Sequence, residues 1–189
     1  MRPALLDPLF SPIASLTPRM TMDRLLPFPV PDHEPQRLLA LRDFRVLDTL
    51  PQKMFDDITA LAAGICGTPM ALISLVDADR QWFKSRHGTT LSETPRDESF
   101  CAHTILERQT LVVPDALKDP RFRGNPLVTG KPWVRFYAGA ILRLPYGPAV
   151  GTLCVMDTRP REMDRIGLAI LTSLRDLVVE EMVRREVAG

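Results

Sequence analysis

Two pairs of strand-like stretches, each joined by a connection only a few residues long, limit what this chain can fold into. Met70 to Val76 is apolar and rich in β-formers, and Asp77-Ala78-Asp79-Arg80 supplies turn chemistry. Gln81 to His87 then alternates, with Trp82 and Phe83 on opposite sides, and ends at Gly88. Arg135 to Leu144 and Val150 to Asp157 are joined in the same way by Pro145-Tyr146-Gly147-Pro148. Connections this short permit antiparallel neighbours, whereas a parallel pair needs a crossover of about a dozen residues.

The remaining elements arrange themselves around these hairpins. Glu34 to Asp48 carries Leu38, Leu41, Phe44 and Leu47 at helical spacing. A second helix places Phe55, Ile58, Ala62 and Ile65 on one face and stops at Gly67, with Pro69 following. A short helix is predicted from about Asp97 to Glu107, with Asp97 or Ser99 as its N-cap, and Leu111-Val112-Val113 is a short strand closed by Pro114. The region 163–187 is predicted as one long helix: Met163, Ile166, Ile170, Leu174 and Leu177 form a stripe that Leu171, Val178 and Met182 widen. A stripe that broad covers a sheet and leaves room for a partner helix. The order α-α-β-β-α-β-loop-β-β-α predicts an α+β domain over residues 34–187.

Residues 1–33 are of a different kind. Pro3, Pro8, Pro12, Pro18, Pro27, Pro29 and Pro31 exclude a long helix or a central strand, so an irregular or disordered arm is expected. Asp7, Pro8 and Pro12 also interrupt any continuous apolar leader. No apolar run approaches the roughly 18 residues that span a bilayer, and a formal net charge of +1 gives no global field for nucleic acid or a membrane surface. Cys66, Cys101 and Cys154 have no metal-type spacing and read as reduced thiols, which favours a cytoplasmic setting and gives no metal site.

Chemistry is densest in Ser99-Phe100-Cys101-Ala102-His103-Thr104-Ile105. Cys101 falls in the first turn of its predicted helix, where free N–H groups and the helix dipole favour a thiolate. His103, two residues on, lies about 200° around that helix and cannot form a same-face dyad with it. Burial of Cys101 is the expected outcome, with ligand contact or thiol chemistry as alternatives. The stretch Asp115 to Trp133 has no period and is longer than packing alone requires, which points to a binding role. Asp115, Asp119, Asp157, Arg80, Lys84, Arg96, Arg121 and Arg135 sit at strand ends or in loops, where turn capping and surface ion pairs are the default. Standard nucleotide, zinc-protease and serine-hydrolase motifs are absent from the sequence.

Several stretches together resemble a known family. They are Ala71-Leu72-Ile73-Ser74-Leu75-Val76-Asp77, Arg80-Gln81-Trp82-Phe83-Lys84, Ser99 to His103 and Asp119-Pro120-Arg121-Phe122. Asn125-Pro126, Arg135-Phe136-Tyr137-Ala138-Gly139 and Gly151-Thr152-Leu153-Cys154-Val155-Met156-Asp157 complete the set. They resemble the GAF domains of bacterial signalling proteins, found singly or ahead of histidine kinase and diguanylate cyclase modules. The resemblance implies a six-stranded antiparallel sheet with the N- and C-terminal helices on one face and a small-molecule pocket on the other. Five strands are legible, and the sixth is expected from 86–94 or from the loop before Arg135. The resemblance further implies a homodimer through the terminal helices. It nominates Trp82, Lys84, Cys101, His103, Asp115, Phe122, Asn125, Phe136 and Tyr137 as ligand-binding candidates. Asp157-Thr158 stands before Pro160-Arg161 where bilin-binding relatives carry their attachment cysteine, which argues against a covalent bilin and leaves the cofactor unknown.

The expectation is therefore a non-enzymatic, small-molecule-sensing domain that passes ligand state through its terminal helices to a signalling output partner. The alternatives are a thiol-dependent redox enzyme using Cys101, with Cys154 as resolving thiol, and a structural dimerisation domain without a ligand.

Overall fold

Both hairpins close through backbone bonds of their own turns. Asp77 N donates to Arg80 O at 2.8 Å, and Leu144 N donates to Pro148 O at 3.3 Å. In the computed structural model, which describes residues 28–145 and 147–188, they form the centre of a six-stranded antiparallel sheet. Its strands are β1 (Met70–Val76), β2 (Arg80–His87), β3 (Glu93–Pro95), β4 (Leu111–Val113), β5 (Phe136–Arg143) and β6 (Ala149–Asp157), in the order β3-β2-β1-β6-β5-β4. The sixth strand is β3, at the end of the 86–94 region, paired with β2 through Arg80 to Trp82. As far as residue 27, the expected N-terminal arm lies outside the described residues.

Helices α1 (Glu34–Asp43), α2 (Lys53–Cys66) and α5 (Arg165–Ala188) cover one face, while α3 (Phe100–Thr104) and the single turn α4 (Pro126–Thr129) lie over the other. Gly67 ends α2 in the left-handed region at φ 59°, and its N–H and that of Thr68 close onto Ala63 O. Helix α1 ends earlier than the expected Asp48, because Arg45 and Asp48 both take positive φ. Helix α5 begins at Arg165, with the Asp164 carboxylate accepting from Gly167 N at 2.7 Å.

The strands bury side chains in two cores, one on each face of the sheet. Ala71, Ile73, Leu75, Ala138, Ala140, Leu153 and Val155 pack under Phe55, Ile58, Leu171, Leu174 and Val178 of the helices. Met70, Leu72, Val76, Tyr137, Cys154 and Met156 pack under Phe100, Cys101 and Phe122. Each fully buried aliphatic or aromatic side chain contributes about 1.5–3 kcal/mol of transfer free energy. The stripe expected along the last helix divides. Leu171, Leu174, Val178 and Met182 are buried, whereas Ile166 stays 71% and Leu177 44% exposed.

Candidate functional site

Helix α3 is held against the sheet by a chain of buried polar groups. Ser99 is its N-cap, accepting from Ala102 N at 3.0 Å, and its hydroxyl also donates to Gln81 Oε1 in β2. Gln81 Nε2 in turn donates to Thr94 Oγ1 in β3. The predicted helix from Asp97 to Glu107 is split accordingly: Arg96–Glu98 forms a 3-10 turn, and the α-helix occupies only Phe100–Thr104.

This short helix delivers Cys101 into a closed cluster. The Cys101 sulfur accepts from Thr152 Oγ1 at 3.0 Å and from Tyr137 OH at 3.4 Å, and lies 4.0 Å from Cys154 Sγ. The Tyr137 hydroxyl also pairs with Thr104 Oγ1 at 2.8 Å, and the Ser74 hydroxyl is buried without a well-formed hydrogen bond. Burial pushes the Cys101 thiol up, but the hydrogen bonds from Cys154, Thr152 and Tyr137 outweigh it and hold the thiol below its ordinary value. The hydrogen bond to Cys101 and burial push Cys154 the opposite way, and burial with the neighbouring thiols raises Tyr137. The cluster is thus arranged to keep one sulfur as acceptor and its neighbours as donors.

A cavity of about 30 Å³ adjoins these thiols, walled by Gln81, Phe83, Cys101, Tyr137 and Cys154 and roofed by Leu91, Leu127 and Pro132. That is room for about two water-sized atoms. Of the nominated residues, Cys101 and Tyr137 line it. Phe122 and His103 of α3 do not line it: Phe122 stacks on Phe100 at 4.2 Å and takes the His103 ring edge-on at 4.9 Å. Asn125 and Asp115 fix loops. Asn125 caps α4 and donates to Glu98 O at 2.9 Å, and Asp115 forms a bidentate pair with Arg135 at 2.8 and 2.9 Å.

Trp82, Lys84 and Phe136 are corrected in position. Trp82 and Phe136 belong to the core beneath the helices, since alternate strand residues face opposite sides. Lys84 is the extra residue of a bulge, because Ile73 opposes Ser85 while Ser74 opposes Phe83. Lys84, two residues beyond Trp82, shares its helical side, where its ammonium donates to Thr49 Oγ1 and Leu50 O at 2.6 and 2.9 Å, and the bulge keeps Ser85 on that side too, donating to Asp56 Oδ1 at 2.6 Å. Sequence reasoning missed Ser74, Gln81, Thr94 and Thr152 as neighbours of the cavity, and named Cys154 only as a resolving thiol for Cys101. Alternation along β6 sets Thr152, Cys154 and Met156 on one side, but that strand is buried on both faces, so the pattern does not reveal which side faces α3.

The sequence profile of the GAF domain matches residues 50–181. A cyclic di-GMP phosphodiesterase of Pseudomonas aeruginosa is 44% identical over 133 residues, which cover 70% of this chain and 23% of that protein. The chain thus spans about a quarter of the length of that relative. The expectation of a non-enzymatic protein is corrected by this finding, because the relative carries the name of an enzyme. The GAF domain of an Acinetobacter phosphoenolpyruvate-protein phosphotransferase superimposes with a TM-score of 0.61 at 14% identity, over 85% of this chain and 98% of that one. A free methionine-R-sulfoxide reductase of Neisseria meningitidis gives 0.60 at 16% identity, over 86% of this chain and 97% of that one. These two show the shared fold. Among the described residues no helix is long and apolar enough to cross a membrane. With its sheet order, its helical layer and the matched profile over residues 50–181, the chain belongs to the GAF domain family, whose members are in general small-molecule-sensing signalling domains.

Proposed function

We propose that this domain senses a small molecule between α3 and the sheet and relays its presence to α5, as a control element for cyclic di-GMP turnover. The observation that carries the relay is that β5 and β6 serve both sites. Tyr137 and Cys154 wall the cavity on one face of these strands, while Ala138, Ala140 and Leu153 pack with Leu171, Leu174 and Val178 on the other. Arg175 of α5 also donates to Ile141 O of β5 at 2.8 Å, so a shift of the strand is felt by the helix.

At about 30 Å³ the cavity is in a closed form. Small-molecule sites usually measure several hundred Å³, roughly 300–1,000. Entry of a metabolite therefore requires Leu91, Leu127 and Pro132 to move outward, and a ligand that binds the open form better shifts the population toward it. The link to cyclic di-GMP rests on the 44% identical phosphodiesterase. Two copies pairing through the helical layer would supply a second lever, supported by the outward side chains of Ile166 and Leu177.

Native mass spectrometry of freshly purified protein identifies any bound small molecule, and amide exchange with and without it tests the relay. Protection is expected in 88–94 and 126–134 together with altered exchange in α5. Protection at the cavity with α5 unchanged would remove the relay. Replacing the matching region of the Pseudomonas relative by this domain should make cyclic di-GMP hydrolysis respond to that molecule; a rate indifferent to it would remove the link to turnover.

A further inference from the structure

We propose that Cys101 and Cys154 are a peroxide-sensitive dithiol that closes into a reversible disulfide across the floor of the cavity. The proposal is independent of ligand sensing and rests on three observations. The two sulfurs are 4.0 Å apart, near van der Waals contact, although the residues are separated by 53 positions and belong to α3 and β6. Bonding requires that separation to close to about 2.05 Å. The pair is asymmetric: the hydroxyls of Thr152 and Tyr137 both donate to the Cys101 sulfur, at 3.0 and 3.4 Å. Cys101 is therefore the sulfur held ready as thiolate, and Cys154 is the protonated neighbour. Both thiols also line the cavity, whose 30 Å³ suits a molecule of about two non-hydrogen atoms.

The chemistry balances with hydrogen peroxide as the oxidant. The Cys101 thiolate attacks one peroxide oxygen, forming an S–O bond and breaking the O–O bond. The departing hydroxide takes the proton that Cys101 gave up and leaves as water. Cys154 sulfur then attacks the Cys101 sulfenic acid, forming the S–S bond and breaking S–O, and the second hydroxide leaves as water with the Cys154 proton. Two thiols lose two electrons and one peroxide becomes two waters. The disulfide removes the acceptor that Thr152 and Tyr137 share, so Tyr137 keeps only Thr104 among its present side-chain hydrogen-bond partners.

Cys66 is the internal control. It is half-buried at the end of α2, on the helical side of the sheet, and burial raises its thiol. The full chain is exposed to hydrogen peroxide, then denatured, alkylated and mapped by mass spectrometry. The expected product is two hydrogens lighter, carries a Cys101–Cys154 linkage with Cys66 alkylated, and reverts with dithiothreitol. Cumene hydroperoxide, too large for the cavity, should react roughly tenfold or more slowly. Cys154→Ser should stop at a dimedone-reactive sulfenic acid on Cys101, with a near-UV spectrum confirming the fold. Recovery of Cys101 and Cys154 as free thiols once Cys66 has been oxidised would overturn the proposal. So would a Cys101→Ser variant, folded by the same criterion, that oxidises Cys154 as fast as the parent.

Discussion

Thr152 Oγ1 donates a 3.0 Å hydrogen bond to the sulfur of Cys101, joining the middle of β6 to the first turn of α3. The bond is buried on every side, so its loss is not made good by water. Thr152→Val keeps the shape and removes the donor. It should cost about 1 kcal/mol of stability and raise the pH at which the thiolate absorbance near 240 nm appears. An unchanged thiolate titration would mean that Thr152 does not hold Cys101 down.

Gly139 makes room for the Tyr137 ring. A Cβ there would overlap the Tyr137 hydroxyl and lie 2.7 Å from Cζ. Gly139→Ala should therefore push the ring off Cys101 and Thr104 and cost about 1–3 kcal/mol by overpacking. Adding Tyr137→Leu should recover part of that loss, so the two changes are non-additive in urea denaturation. Strict additivity would sink this account.

Glu34 sits between two buried guanidiniums. It accepts from Arg37 Nε and Nη2, both at 2.7 Å, and from Arg96 Nη1 at 2.6 Å. Arg96 also donates to Asp77 O at 2.8 Å and stacks on Phe28, fastening the start of the described chain to the turn after β1. Glu34→Gln leaves both cations without their carboxylate and should cost about 3–5 kcal/mol. A loss under about 1 kcal/mol, the value of a surface pair, would refute a structural role.

Burial and the Arg121 charge lower the pKa of His103 from its ordinary 6.5. The unfolded chain then takes up this proton first as the solution is acidified. The His103 contribution is complete above pH 6.5 and is lost as pH falls through the window below it. Glu34 is opposed by burial but lowered on balance by Arg37 and Arg96, and its contribution is lost only below its ordinary 4.5. Urea midpoints should decline between pH 6.5 and 4.5 in the parent protein and decline less in His103→Gln. Identical slopes would assign that decline elsewhere.

Ile166 and Leu177 face outward from α5. If two copies pair through this layer, Ile166→Glu and Leu177→Glu should convert a sedimenting dimer to a monomer. The melting transition of the monomer should stay within the range usual for surface substitutions, about 0.5 kcal/mol. A parent that sediments as a monomer at high concentration removes this lever.

The sheet was legible because its hairpins are local. The turns at Asp77–Arg80 and at Pro145–Pro148 force antiparallel pairing, and Gly67 marks the end of α2 with a left-handed φ. The family was legible too, since its motifs fall on strand ends and on Ser99 to His103, and its profile covers residues 50–181. The separation of Cys101 from His103 around α3 also follows from helix geometry alone, and the structure buries the first while leaving the second half-exposed against Phe122.

The site itself needed the fold. Whether Trp82 and Lys84 or Phe83 meet the cavity depends on which face of a doubly buried sheet receives α3, and the side taken by Ser85 depends on one extra residue in β2. The meeting of Cys101 with Cys154, 53 positions away, depends on that same choice of face. Hairpins, caps and periodicity are written in neighbouring residues, so the sequence determined the elements and their order. Faces, bulges and long-range thiol contacts arise only when the two layers pack, so the tertiary structure decided the site.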